Sequence, residues 1–286
     1  MNKRIVAVAK RLALAKAGSF ALNPSIQSIC EEVGVGQIIG KKVILSTQDL
    51  IAIEKFFSKK LQQPILKTDL KKEHRLDAAQ AGYDEKWAIT AVFADLLNFS
   101  SQGDLLPLNG NEVIIPKKCV LSTSLKELDL AKFKRLIVIE NGEILQHLDI
   151  LDEILPDDFK GSLVIYRGHG SNLKALTTLI SKLNSGVKIA FFCDYDAAGL
   201  VIAQSLSRYF HGKDYILVPK DRSETLKLLS KSQCYIDQFH LLQSLLNNEN
   251  TLDKLKTLAL DLNKFELAIM QEHMLANKIA LQAYEI

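Results

Sequence analysis

Three acidic residues fall where the chain's apolar runs end. Glu140 closes the run LIVIE (136–140), and Asp194 and Asp196 close VKIAFFCDYD (187–196). Side chains two apart on a strand share a face, so Asp194 and Asp196 can address one pocket while Tyr195 turns away. Neighbouring strands lie about 4.8 Å apart, which brings Glu140 within reach of both aspartates. Three converging carboxylates repel one another and raise each other's pKa values. A hard divalent cation relieves that repulsion, and Mg²⁺ takes one or two carboxylates together with water and phosphate oxygens. The chemistry such a group supports is polarisation of a phosphodiester and stabilisation of charge on the departing oxygen. A third apolar run, SLVIYRGHG (162–170), ends in Arg167, Gly168, His169 and Gly170. Its Gly-x-Gly turn precedes a helix opening at Ser171, where backbone N–H groups suit a phosphate, and Arg167 adds charge. Blander readings stand beside these. Asp196 can simply cap the helix that follows it, and His169 can be an exposed loop histidine rather than a phosphate contact.

The elements that must position these residues alternate. Strand runs are predicted at 136–140, 162–170, 187–196 and 214–219, with helices at 143–154, 171–184 and 197–210 between them. This spacing predicts right-handed βαβ units and a parallel sheet covered by helices on both faces. Ligands of such sheets bind outside the carboxyl ends of the strands, where the distinctive residues fall. Residues 221–286 read as helical, with apolar stripes at Leu242, Leu245 and Leu246 and at Leu252, Leu255 and Leu258.

The preceding part is helix-rich and basic. Helical patterns cover 3–17, a short segment in NPSIQSICEEVGVG broken by Gly34 and Gly36, and STQDLIAIEKFFSKKL capped by Ser46 or Thr47. Two short helices around a glycine turn resemble a helix-turn-helix. Residues 67–98 read as charged and then helical, and a hairpin is predicted around Asn109-Gly110. A hairpin after helices suits a winged-helix arrangement. The expected domains are therefore 1–130, basic and winged-helix-like, and 131–286, α/β and carrying the acidic site. Residues 1–135 hold 21 Lys/Arg against 14 Asp/Glu, whereas 136–286 hold 15 against 19. The basic half is a candidate for contact with a polyanion, with a solvated surface as the alternative.

Composition bounds the rest. At 286 residues with 48% hydrophobic and 24% charged side chains, the chain can bury two modest cores or one large one. Fourteen glycines and six prolines exclude collagen-like or Pro/Gly-rich disordered character. No apolar run reaches the roughly 18–20 residues of a membrane span, and the N-terminus reads as a basic amphipathic helix rather than a secretory signal. The four cysteines are far apart and form no CxxC pair, so no disulfide framework is expected and the cytoplasm is the default compartment.

The segments LIVIEN (136–141), VIYRGHG (164–170) and FFCDYDAAGL (191–200) resemble a Toprim domain, the metal-binding module of topoisomerases, bacterial primases and some nucleases. The form Asp-x-Asp-x-x-Gly with Glu-Asn upstream is most similar to the topoisomerase VI A-subunit group, and within it to the nuclease subunit of the Wadjet plasmid-defence systems. The match covers about residues 134–220, under a third of the chain. The resemblance implies that Glu140 binds metal or acts as general acid/base. It makes Asp194 and Asp196 metal ligands, and Asn141, Gly168, Gly170 and Gly199 supporting residues. It implies Mg²⁺ or Mn²⁺ as cofactor, DNA as substrate, a homodimer, and an SMC-type motor complex as partner. In the topoisomerases of this group a tyrosine attacks DNA. The candidate here is Tyr83, but the usual paired arginines beside it are absent, which favours hydrolysis by water. Arg75, Glu85 and Lys86 would be DNA-facing or dimer-bridging, or else a solvated helix face.

The leading expectation is a Mg²⁺-dependent DNA endonuclease. The alternatives are a type IIB topoisomerase-like cleaving subunit and a non-catalytic DNA-binding or assembly protein. Phosphatases of the haloacid dehalogenase type also place DxD after a strand. They use the first strand, with Thr or Val where this chain has Ala198.

Overall fold

The computed structural model describes residues 3–68 and 95–286, and the chain divides into compact units at residues 94 and 95. In the first unit, helix α1 (Lys3–Ala13) leads to strand β1 (Gly18–Ala21), helix α2 (Pro24–Val33), strands β2 (Gln37–Ile39) and β3 (Lys42–Leu45), and helix α3 (Thr47–Leu61). The helix boundaries follow local chemistry. Asn23 Oδ1 accepts from the N–H groups of Ser25 and Ile26 at 3.1 and 3.0 Å, and Pro24 occupies the first helical position, where it costs no hydrogen bond. Gly34, at φ 73°, ends α2 by donating its N–H to the Cys30 carbonyl. Ser46 and Asp49 form a reciprocal capping box at the start of α3. Val6, Leu12, Ile29, Val43, Ile53 and Phe57 close this unit's core.

Between α2 and α3 lies the β2–β3 hairpin, which pairs with β1 in an antiparallel sheet of order β1-β3-β2. A bare glycine turn, as in the helix-turn-helix expectation, is therefore not what joins these two helices. Gly36, at φ 84°, packs so closely that a Cβ would meet Leu45 and Val43 at 2.8 and 2.9 Å. Gly34 ends α2 and Gly36 serves strand packing, so the two do not form a helix-helix corner.

The second unit is mixed α/β. Its seven-stranded sheet contains β4 (Leu96–Ser101), β7 (Leu121–Ser124), β8 (Arg135–Ile139), β9 (Leu163–Tyr166), β10 (Lys188–Phe192), β11 (Asp214–Pro219) and β12 (Leu281–Glu285). The order is β12-β11-β10-β8-β9-β4-β7, with β5 (Leu106–Leu108) and β6 (Asn111–Val113) forming a separate hairpin. The four central strands are parallel, and the edges are antiparallel. The all-parallel expectation therefore holds for the centre only. Strand β12, in a segment read as helical, pairs with β11. Strand β4 overlaps the end of another segment read as helical and pairs with β9. Because β4 and β7 belong to this sheet, the division falls near 94 rather than 130, and the Asn109-Gly110 hairpin belongs to the second unit.

Helices α4 (Leu148–Ile154), α5 (Ser171–Lys182), α6 (Ala197–Ser207), α7 (Ser232–Asp237), α8 (Phe239–Asn247), α9 (Asp253–Phe265) and α10 (Gln271–Ala276) complete the unit. Leu136, Ile137, Ile139, Ile189, Phe191 and Phe192 are fully buried, as near-continuous apolar strands in a sheet covered on both faces require. The chain runs from β8 to β9 on one side, then returns to β10 on the other side of β8. The β8/β10 junction is thus the topological switch point, where open α/β sheets leave a crevice at their carboxyl ends. Among the described residues, no helix is long and apolar enough to cross a membrane.

Candidate functional site

Two of the three acidic residues meet at this junction. The β8–β10 pairing aligns Ile139 with Phe192, and the Glu140 N–H extends it by donating to the Phe192 carbonyl at 3.2 Å. The next residues, Glu140 and Cys193-Asp194, leave the sheet together. The Asp194 amide N–H donates to Glu140 Oε2 at 3.3 Å. Arg167, following β9, donates from a guanidinium nitrogen to Glu140 Oε1 at 3.3 Å, both side chains being largely buried. Arg167 is thus a counter-charge for Glu140, while its buried Nε has no partner among the described residues.

The electrostatics follow from burial and like charge. Burial pushes the Glu140 carboxyl above its usual range, and the Asp194 N–H and Arg167 oppose that rise. Asp194 is pushed up to about 7, first by burial and then by the charges of Glu140, Asp196 and Glu272. The hydrogen bond from the Gln271 amide to Asp194 Oδ1, at 2.7 Å, acts the other way.

Asp196 has a different role. It is 2% exposed, its Oδ1 accepts the Gly199 N–H at 2.8 Å as the cap of α6, and its Oδ2 accepts from Gln238 Nε2 at 2.7 Å. The capping reading of Asp196 is the one the structure displays. Gly199 is required here because a Cβ would lie 2.0 Å from the Asp194 carbonyl oxygen. The helix start and the carboxylate loop are therefore in direct backbone contact.

The turn after β9 is also specific. Gly168 sits at φ 66°, where a Cβ would strike Asn172 Cβ at 2.5 Å. Gly170 sits at φ 57° beside open space. His169 is exposed and meets Tyr166 edge-to-face at 6.1 Å, while its carbonyl accepts the Asn172 N–H. The exposed-loop reading of His169 thus describes its surroundings. Tyr83, Arg75, Glu85 and Lys86 lie outside the described residues.

The strongest positioning residue was invisible in the sequence pattern. Gln271 is fully buried; its Nε2 donates to the Phe192 carbonyl and its Oε1 accepts the Asn141 N–H, both at 2.8 Å. With its own N–H on Asp194, it staples the tips of β8 and β10 together. Two residues earlier, Ile269 exchanges both backbone hydrogen bonds with Tyr195, fixing the segment across the loop. Glu272 holds the side-chain amide of Asn141. Gln238, on the other side, grips Asp196 and the Ala198 N–H together. A cleft of about 260 Å³ opens beside Asp194, lined by Asn141, Lys231, Met270, Glu272 and His273.

Among the described residues, no three His, Cys, Asp or Glu side chains are arranged to hold a metal ion. The expected trio is a pair, Glu140 and Asp194, with Asp196 engaged in capping. The pair still fits Mg²⁺ by its chemistry. Both are hard oxygen donors at the sheet's carboxyl edge, Asp194 Oδ2 accepts no hydrogen bond among the described residues, and Mg²⁺ needs only one or two carboxylates beside its waters.

Fold and site together define a mixed α/β domain with a half-buried acidic pair at its switch point. The chain belongs to the DUF7281 family, described as a domain of unknown function, whose match spans residues 94–283. The match begins where the second unit begins. No curated protein matches the chain.

Proposed function

We propose that the second unit is a Toprim-like nuclease domain that cleaves DNA phosphodiesters with Mg²⁺ or Mn²⁺. One observation carries this reading. Two half-buried carboxylates, Glu140 and Asp194, converge at the switch point, and burial and like charge push Asp194 up to about 7. Arg167 balances Glu140, but no cation among the described residues pairs Asp194, whose charge is unfavourable beside Glu140 and becomes favourable beside a metal ion. A bound Mg²⁺ would supply Lewis-acid polarisation of the phosphoryl oxygen. The chain's own residues do the rest. Gln271 and the Asp196–Gln238–Gly199 cap hold the two carboxylates in register, and Arg167 balances Glu140.

The sequence resemblance extends the proposal to a homodimer working with an SMC-type motor complex in plasmid or phage defence, and the scattered cysteines extend it to the cytoplasm. The first unit, with its short antiparallel sheet and basic composition, is proposed as the winged-helix-like DNA-binding part.

A second reading, a non-catalytic DNA-binding or assembly protein, draws on the Glu140–Arg167 pair, in which a cation is already present. One experiment separates the two. Purified protein is incubated with supercoiled plasmid and Mg²⁺ or Mn²⁺, and Mn²⁺ binding is followed in parallel by electron paramagnetic resonance. The nuclease reading expects nicking and Mn²⁺ binding that Glu140→Gln and Asp194→Asn both abolish. Parent protein that binds no Mn²⁺, or variants that cleave as well as the parent, would refute it.

A further inference from the structure

We propose that the cleft beside Asp194 is a phosphodiester-binding subsite in which Lys231 and His273 hold the backbone of a DNA strand. The inference rests on the nuclease reading for its substrate class, but it stands on separate residues. Lys231 lines the cleft with an ammonium that makes no hydrogen bond or ion pair among the described residues, although Asp194 and Glu272 line the same space. A lysine left unpaired beside two carboxylates is available to an external anion.

Its backbone is fixed. The Lys231 N–H donates to the Ala268 carbonyl at 2.9 Å, and Ser230 Oγ accepts the Ala268 N–H at 2.8 Å and donates to the Glu266 carbonyl at 3.1 Å. The next residue, Ile269, is locked to Tyr195. A short ladder of backbone bonds therefore runs from Lys231 to the loop that carries Asp194, and sets the spacing between cation and carboxylate.

His273 is oriented by the same stretch. Its Nδ1 lies 3.1 Å from the Leu229 carbonyl. A carbonyl only accepts, so Nδ1 carries the proton and Nε2 is the nitrogen left for a ligand. Lys231 supplies a point charge to a phosphate oxygen, and the His273 ring edge at Nε2 faces the same group. The cleft, about 260 Å³, is roomy enough for a phosphate with part of its sugar, and it borders Asp194 rather than a remote surface.

The test uses the full chain and a fluorescent duplex DNA. Affinity is measured by anisotropy across a salt series in EDTA, for the parent, Lys231→Met, Lys231→Arg and His273→Asn. The asparagine keeps a donor near the Nδ1 position and removes Nε2. Lys231→Met is expected to weaken binding to all sequences alike and to lower the slope of log K against log salt by about 0.9, the share of one phosphate contact. Lys231→Arg should restore both, and His273→Asn should weaken binding while keeping the parent's melting temperature. Mn²⁺ binding should be the same in all four proteins. An unchanged slope in Lys231→Met, or no DNA binding by the parent, overturns the subsite. If the slope falls but the parent binds no Mn²⁺, the subsite stands and the nuclease reading falls. If Mn²⁺ binds but the slope is unchanged, the reverse holds.

Discussion

Asp194→Asn is expected to stabilise the metal-free protein at alkaline pH. The Asp194 carboxyl is held at about 7, against an ordinary value of 3.8. Below about pH 4 the group is protonated in folded and unfolded chains alike, and it costs nothing. Between about pH 4 and 7 the unfolded chain releases its proton while the native state retains it. Stability therefore falls as pH rises, and above 7 the full penalty is present. Each pH unit of that interval corresponds to about 1.4 kcal/mol, an upper bound of about 4 kcal/mol over the whole of it. Asparagine cannot ionise, yet its Oδ1 can still accept the Gln271 N–H. Amide hydrogen exchange in the β8 and β10 peptides, in EDTA, reads the difference. Parent and variant are compared at the same pH, so intrinsic exchange chemistry cancels. The stability gap in favour of the variant should widen by about 2–3 kcal/mol between pH 5 and pH 8. Adding Mn²⁺ at pH 8 should protect the parent and leave the variant unchanged, because only a native state that binds the ion gains from it. A variant less stable than the parent by the same amount at both pH values would refute the reasoning. Asp194 would then be an ordinary hydrogen-bonded carboxylate.

Three further outcomes follow from the same geometry. Gln271→Met should lower the denaturation midpoint by the equivalent of about 2–4 kcal/mol, because the Asn141 N–H and the Phe192 carbonyl lose their buried partners; urea titration checks it. Asp196→Ala should cost about 2–3 kcal/mol through the lost helix cap and the unpaired Gln238, whereas Asp196→Asn keeps the Gly199 bond and costs about 1 kcal/mol, as thermal melts would show. Gly199→Ala should displace the Asp194 peptide, which its Cβ would approach to 2.0 Å, so calorimetric Mn²⁺ titration should find no binding even in protein that still folds.

The chain's own pattern was enough to locate the central strands and the helices between them. Consecutive apolar residues such as Leu136–Ile139 and Ile189–Phe192 can be satisfied only in strands covered on both sides, and their period with the helices forces parallel connections. Caps at Asn23 and Ser46, the turn at Asn109-Gly110, and Glu140 and Asp194 at strand ends were legible for the same reason: each is a local rule written within a few residues. What local rules cannot specify is who comes to meet them. Nothing near Leu281 distinguishes an edge strand from a helix end until β11 offers it open hydrogen bonds. Asp196 could equally have been a ligand or a cap until Gln238, 42 residues on, took its second oxygen. Gln271 has no signature at all, because its meaning lies in a carbonyl 79 residues away and an amide 130 residues away. Spacing along the chain placed the acids at one edge of the sheet. Only the folded arrangement of strands β8 and β10 decided that two of them share a space, that the third holds a helix, and that a lysine and a histidine from the C-terminal segment stand beside them.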